Sequence, residues 1–269
     1  MILLELARKP KWDCDNGPTN SELSVIYDRQ ASNYDKEHMR SSSALNYIEV
    51  QRLRHLTPCI EKIENKRIYD VSCGTGTYLS MLKKNENYCL GGDISREMVT
   101  ISKTKGVEDT IVNDYHYIPI KDKSFDLILC VNSIHYSYDA KKVLTELKRI
   151  LADDGRIILT YFNLLNFRSL NLVRRRYKKN SQVRFENRYL SLQMNAKFRE
   201  VGLIPVKQCG INALPYPANS KERSKTILQL FNLLEYSLNE SILRHLFNET
   251  YVELRKETNR NHENLDRLV

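Results

Sequence analysis

No apolar run in the 269 residues approaches the roughly 20 positions of a membrane-spanning helix, so a transmembrane segment is not expected. The opening MILLEL is far shorter than a signal-peptide core. It also lacks a basic region before it and a small-residue cleavage site after it, and the expectation is a cytoplasmic protein. The six cysteines (Cys14, Cys59, Cys73, Cys89, Cys130, Cys209) form no CxxC pair, and no histidine stands at zinc-finger spacing. Scattered thiols of this kind exclude a disulfide framework and a zinc module. No histidine or carboxylate cluster has metal-ligand spacing, so no metal is expected, and no internal repeat or low-complexity tract is present. With 41% hydrophobic and 28% charged residues the chain is globular in composition. The net charge of +9 suits nucleic acid, an anionic membrane surface or an acidic small substrate.

What is present is organised around Arg67–Thr77, RIYDVSCGTGT. A short apolar run ends in an acid and gives way to Gly74 and Gly76, and a helix-compatible TYLSMLKK follows. That order predicts a strand, a tight turn and a helix start, where backbone N–H groups can approach an anionic or nucleotide-like ligand. A dinucleotide fingerprint wants a third glycine three residues after Gly76, and Leu79 stands there. Further on, Tyr88–Gly92 reads as a strand ending at Asp93, with Ser95 capping a helix to about Lys105. Thr110–Asn113 ends at Asp114, and Phe125–Val131 is apolar after Asp126, as for a strand buried on both faces. Asp139–Leu151 is amphipathic, Asp154-Gly155 reads as a turn, and Arg156–Tyr161 is a fifth strand. Five alternations with short connections predict a doubly wound α/β sheet.

The flanks are less regular. Residues 1–22 read as a loose arm, 23–256 as a single domain and 257–269 as a polar tail. Ser21–Met39 places Tyr27-Asp28 and Tyr34-Asp35 seven residues apart, on one helix face. Ser41–Leu56 predicts a helix ending at Pro58, with Leu45, Ile48, Val50, Leu53 and Leu56 apolar. Residues 162–188 carry eight basic side chains against Glu186 and read as an insertion over the sheet. Helix Tyr189–Val201, strand Leu203–Gly210, a long helix from Lys221 to about Leu246 and a last strand Thr250–Lys256 follow.

Four ordered blocks, IYDVSCGTGT, GGDIS at Gly91–Ser95, NDY at Asn113–Tyr115 and FDLILCVNSIHY at Phe125–Tyr136, resemble the class I S-adenosylmethionine-dependent methyltransferases, nearest the small-molecule, type 11 branch. The resemblance covers about Ser21–Phe162. It implies a Rossmann-like, mostly parallel seven-stranded sheet with its last strand antiparallel, and S-adenosyl-L-methionine as cofactor. Ser72, Cys73, Gly74 and Gly76 would let the main chain approach the methionine moiety, with Ser72 standing where the family has its first glycine. Asp70 would orient that loop or meet the cofactor's ammonium group. Asp93 would accept both ribose hydroxyls, Ile94 and Met98 would pack on adenine, and Asp114 would accept the exocyclic amine beside Tyr115. Asn132 would lie by the methyl group, and Tyr34 would close over the cofactor.

The expected activity is methylation of an oxygen or nitrogen on a small metabolite, anionic and lipid-linked acceptors included. His135 is the candidate base, because its ordinary pKa suits proton acceptance near neutrality. Tyr136, Arg174, Arg175 and Arg188 are the candidate acceptor-binding residues. RNA is the rival acceptor; the pI of 9.1 favours it, while NSIHY replaces the NPPY-like tetrapeptide of many base-nitrogen methylating enzymes. A catalytically silent, cofactor-binding partner protein is the reading from another class, opposed by the intact Asp93 and glycines.

Overall fold

The computed structural model describes residues 19–39, 44–166, 186–212, 233 and 236–257. Within them lie α1 (Asn20–Met39), α2 (Ala44–Ile60), β1 (Arg67–Asp70), α3 (Thr77–Leu82), β2 (Tyr88–Asp93), α4 (Arg96–Thr104) and β3 (Asp109–Val112). The chain continues through β4 (Phe125–Cys130), α5 (Ala140–Ile150), β5 (Leu151–Phe162), α6 (Ser191–Glu200), β6 (Leu203–Ile211) and β7 (Glu249–Lys256). The strands form one seven-stranded sheet in the order β3-β2-β1-β4-β5-β7-β6. Strands β1 to β5 pair in parallel, and β7 runs antiparallel to both β5 and β6, as expected. No helix among the described residues is long and apolar enough to cross a membrane.

The apolar run after Asp126 puts β4 at the centre of the sheet, with Leu127, Ile128, Leu129 and Cys130 all at most 2% exposed. Val143, Leu144, Leu147 and Ile150 of α5 pack into the core on one face of the sheet; Leu56, Ile60 and Leu79 pack into the other. Asp139 caps α5 by accepting from the Lys142 amide (3.1 Å), and Ser95 caps α4 by accepting from the Met98 amide (3.1 Å).

Several boundaries differ from the sequence reading. β5 begins at Leu151, and the expected Asp154-Gly155 turn is a bulge within it: Phe125 and Leu127 pair with Leu151 and Arg156, so two steps on β4 face five on β5. α2 passes through Pro58 to Ile60, because a proline near a C-terminus removes only one N–H and the Glu61 amide still bonds to the Thr57 carbonyl (2.9 Å). The buried face of α2 is also rotated from the expected one. Val50 is 45% exposed, whereas Gln51 and Arg52 are buried. Ile242–Leu246, expected to end a long helix from Lys221, form a 3-10 turn, and most of that expected helix lies outside the described residues. Residues 213–219, most of the basic insertion, the expected arm up to residue 18 and the expected tail beyond Glu257 lie outside the described residues.

Candidate functional site

Strand order reverses between β1 and β4, and a cavity opens at the carboxyl ends of β1, β2 and β4, where such sheets take their ligands. Its free space, mouth included, is about 1090 Å³. The loop after β1 supplies Ser72, Cys73 and Gly74, the segment after β2 supplies Asp93, Ile94 and Met98, and Asn132 and Ser133 follow β4. Tyr115 and Tyr136 complete that side, and Tyr34 faces them from α1.

The loop is shaped by hydrogen bonds to the neighbouring strand. Cys73 N–H donates to the Gly92 carbonyl (2.8 Å), Gly74 N–H to Asp93 Oδ2 (2.9 Å), and Ser95 N–H to Asp93 Oδ1 (2.9 Å). Asp93 therefore ties the two cavity loops together from inside. Burial raises its carboxyl pKa, and the Ser95, Gly74 and Ile94 amides partly offset that rise. Ser72 lines the cavity with its hydroxyl oxygen buried and without a hydrogen-bond partner.

The two glycines separate into different roles. Gly74 (φ +52°) has open space where a Cβ would stand, whereas at Gly76 (φ +80°) a Cβ would lie 2.9 Å from Ser102 Cβ and 3.1 Å from Val107 Cγ2. Gly76 does not line the cavity; it lets the loop pack on α4. A left-handed alanine costs roughly 1–2 kcal/mol and an overpacked contact roughly 1–3 kcal/mol. Gly76→Ala is accordingly expected to lose more stability in urea denaturation than Gly74→Ala. An equal loss would contradict this division.

The tyrosine face of α1 is as its spacing predicts. Tyr27 and Tyr34 both line the cavity, and Tyr27 meets Tyr136 edge-on (5.9 Å between centroids). The acids beside them fasten the helix. Asp28 accepts from Ser95 Oγ (2.5 Å) and the Glu97 amide (3.2 Å), while Asp35 accepts from Thr75 Oγ1 (2.7 Å) and pairs with Lys105 (2.6 Å).

Besides Gly76, four expected site residues stand apart from the cavity lining. Asp114 accepts from Asn20 Nδ2 (2.5 Å), the His116 amide (2.8 Å) and the His116 ring (2.6 Å, Nδ1). Burial raises its pKa, but the His116 hydrogen bonds prevail and hold it below the ordinary value. His135 is 1% exposed and packs between Phe162 (4.1 Å) and Tyr136 (4.2 Å), because its short 3-10 turn carries it into the core instead of the pocket. Arg188 pairs with Glu186 (3.2 Å) and lies 5.0 Å over the Phe162 ring. Arg174 and Arg175 fall outside the described residues.

Asp70 is the fourth. It is 1% exposed under the loop and accepts from the Ser72 amide (3.2 Å). Burial lifts its pKa from 3.8 to about 7, the Ser72 amide opposes the rise and the Asp93 charge adds to it. The folded protein thus holds a proton here that the unfolded chain releases above about pH 4, and stability falls as pH rises from there to about 7. Asp70→Asn is expected to melt higher than wild type at pH 8, with the gap closing towards pH 4. A variant no more stable at pH 8 would overturn the assignment.

A polar network not singled out by the sequence reading forms part of the wall. Arg52 donates from Nε to both Glu249 oxygens (3.1 Å each), from Nη2 to Asn132 Oδ1 (2.7 Å) and from Nη1 to Glu49 Oε2 (3.3 Å). Tyr78 donates to Glu49 Oε1 (2.5 Å), and Asn212 to Glu249 Oε2 (2.9 Å). Its one legible trace was Glu49 and Arg52 three apart on a helix, a spacing that equally describes a solvated face.

A switch-point cavity under a sheet of this order, with one antiparallel strand, defines a class I S-adenosylmethionine-dependent methyltransferase fold. Residues 69–159 match the family model described as a methyltransferase domain. An uncharacterized protein of Methanocaldococcus jannaschii is 30% identical over 159 residues, 58% of this chain and 59% of that protein. The demethylmenaquinone methyltransferase of Thermotoga maritima is 26% identical over 146 residues, 53% of this chain and 62% of that enzyme. Among solved structures, a Thermotoga maritima protein described as a SAM-dependent methyltransferase and "possible histamine N-methyltransferase" superposes with TM-score 0.61 at 18% identity, covering 87% of this chain and 99% of its own. The chain spans about 60% of the length of the curated relatives it matches first.

Proposed function

We propose that the protein is an S-adenosylmethionine-dependent methyltransferase acting on an oxygen or nitrogen of a small metabolite, with anionic and lipid-linked acceptors included. Support comes from one juxtaposition: residues from the ends of β1, β2 and β4 that the sequence assigns to the cofactor line a single cavity. The residues present fit that group. Ser72 offers a buried hydroxyl without a partner, Gly74 leaves open space at the loop, and Asp93 brings a carboxylate to the wall. When bound, the cofactor supplies an electrophilic sulfonium methyl group. On this chain Ser72–Gly74 would take the methionine end, Asp93 the ribose, and Ile94 and Met98 the adenine.

The acceptor's side of the proposal is positional. Tyr34, Tyr136 and Asn132 wall the cavity, and α1 is held beside it by its ties to Ser95 and Thr75. Alignment of reacting groups can supply roughly 7–11 kcal/mol of barrier reduction, and an acceptor that carries a proton at the attacking atom must also release it, to solvent or to a base. His135 lies in the core, so the proposal assigns it to shaping the Tyr136 loop. Calorimetry with S-adenosylhomocysteine tests the cofactor: binding is expected, and its absence in the wild type would sink the proposal. Transfer of label from the cofactor into a metabolite extract, and separately into unmodified tRNA and rRNA, tests the acceptor. Label appearing in RNA alone would replace the small-molecule reading.

A further inference from the structure

We infer that Glu49, from the helix preceding the sheet, holds the ammonium group at the amino-acid end of the cofactor; this rests on the cofactor proposal above. The family resemblance offers Asp70 for that contact or for orienting the loop, but Asp70 is 1% exposed and does not line the cavity. Glu49 does line it, beside Thr77 and Tyr78 at the start of α3.

Charge balance in the network says what Glu49 is available for. Two carboxylates, Glu49 and Glu249, share one guanidinium, Arg52. Glu249 takes the larger part of it: both its oxygens accept from Arg52 Nε, one also lies 3.0 Å from Nη2 in the ion pair, and its side chain is 1% exposed. Glu49 receives only Nη1 at 3.3 Å, together with the Tyr78 hydroxyl at 2.5 Å, and its side chain is 18% exposed at the cavity it lines. One negative charge of the triad is therefore left over at the cavity wall, and each Glu49 oxygen retains acceptor capacity. Such a charge in a partly desolvated wall calls for a cationic group, and an ammonium offers three donors to oxygens of this kind. Ser72, with its unpartnered hydroxyl on the same wall, marks the loop against which the amino-acid end would lie.

The test is calorimetry of wild type and Glu49→Gln with two ligands, S-adenosylhomocysteine and 5′-methylthioadenosine, which keeps the adenine, ribose and sulfur but lacks the amino-acid end. A charge-assisted hydrogen bond leads us to expect E49Q to bind S-adenosylhomocysteine about 10- to 100-fold more weakly than wild type. Binding of 5′-methylthioadenosine should be unchanged. Unchanged binding of both ligands overturns the inference and leaves the cofactor proposal standing. Loss of both in E49Q also overturns it, making Glu49 a residue of the fold. Failure of the wild type to bind either ligand overturns the cofactor proposal, and this inference with it. As a second variant, Tyr78→Phe removes a donor to Glu49 and is expected to retain S-adenosylhomocysteine binding within a few fold; a loss matching that of E49Q would assign the contact to Tyr78 and overturn the role of Glu49.

Discussion

Replacing Asp93 with alanine is expected to reduce S-adenosylhomocysteine affinity by about 100-fold or more, read by calorimetry. Two ribose hydroxyls donating to one carboxylate are charge-assisted hydrogen bonds, each contributing roughly 1.5–3 kcal/mol, and alanine removes both. It also releases the Gly74 and Ser95 amides that Asp93 now accepts, so the two cavity loops lose their common anchor. Asp93→Asn separates these effects. Its amide oxygen can still accept from a loop N–H, so the fold should hold, while ribose recognition loses its charge. Undiminished binding in both variants would remove Asp93 from the site.

The largest stability effect is expected at Arg52, a residue of the network that also walls the cavity. Burial opposes its charge, but Glu249 and Glu49 prevail and hold the guanidinium firmly protonated. Arg52→Ala leaves Glu249 and Glu49 without a counter-ion, and breaking a buried pair from one side costs about 3–5 kcal/mol. For a domain of 150–250 residues each kcal/mol lowers Tm by roughly 2–4 °C, so a drop on the order of 6–20 °C is anticipated in calorimetric melting. Removing both charges with apolar residues of similar size, as in Arg52→Met with Glu249→Leu, should recover much of that loss. A single variant melting within about 2 °C of wild type would show the pair to be energetically idle.

Legibility in the sequence followed the range of the interactions concerned. β4 could be read because Leu127–Cys130 is apolar throughout, and its place at the sheet centre exposes neither face. The α4 and α5 caps could be read because Ser95 and Asp139 bond to amides three residues on. Tyr27 and Tyr34 share a face because seven residues make nearly two helical turns. By contrast, Asp114 stands where the family pattern puts an adenine contact, yet Asn20, 94 positions away, and His116 engage it. The Arg52–Glu249 pair spans 197 positions, and no local period can signal it. Burying it turned α2 so that Val50 faces solvent, against the apolar pattern. Gly76 read as a ligand glycine because its left-handed φ is a local need, while the closeness of Ser102 and Val107 depends on how α4 docks.

The sequence by itself determined the alternation of strands and helices, the turn after β1 and the acid at the end of β2, because each is written in neighbouring residues through backbone conformation, capping and side-chain period. Only the tertiary structure decided that Asp70 and His135 lie beneath the cavity instead of in it, and that Glu49 and Arg52 stand in its wall. Burial and ion pairing are set by which distant segments meet, and that meeting is a property of the packed sheet, with no counterpart in the local sequence pattern.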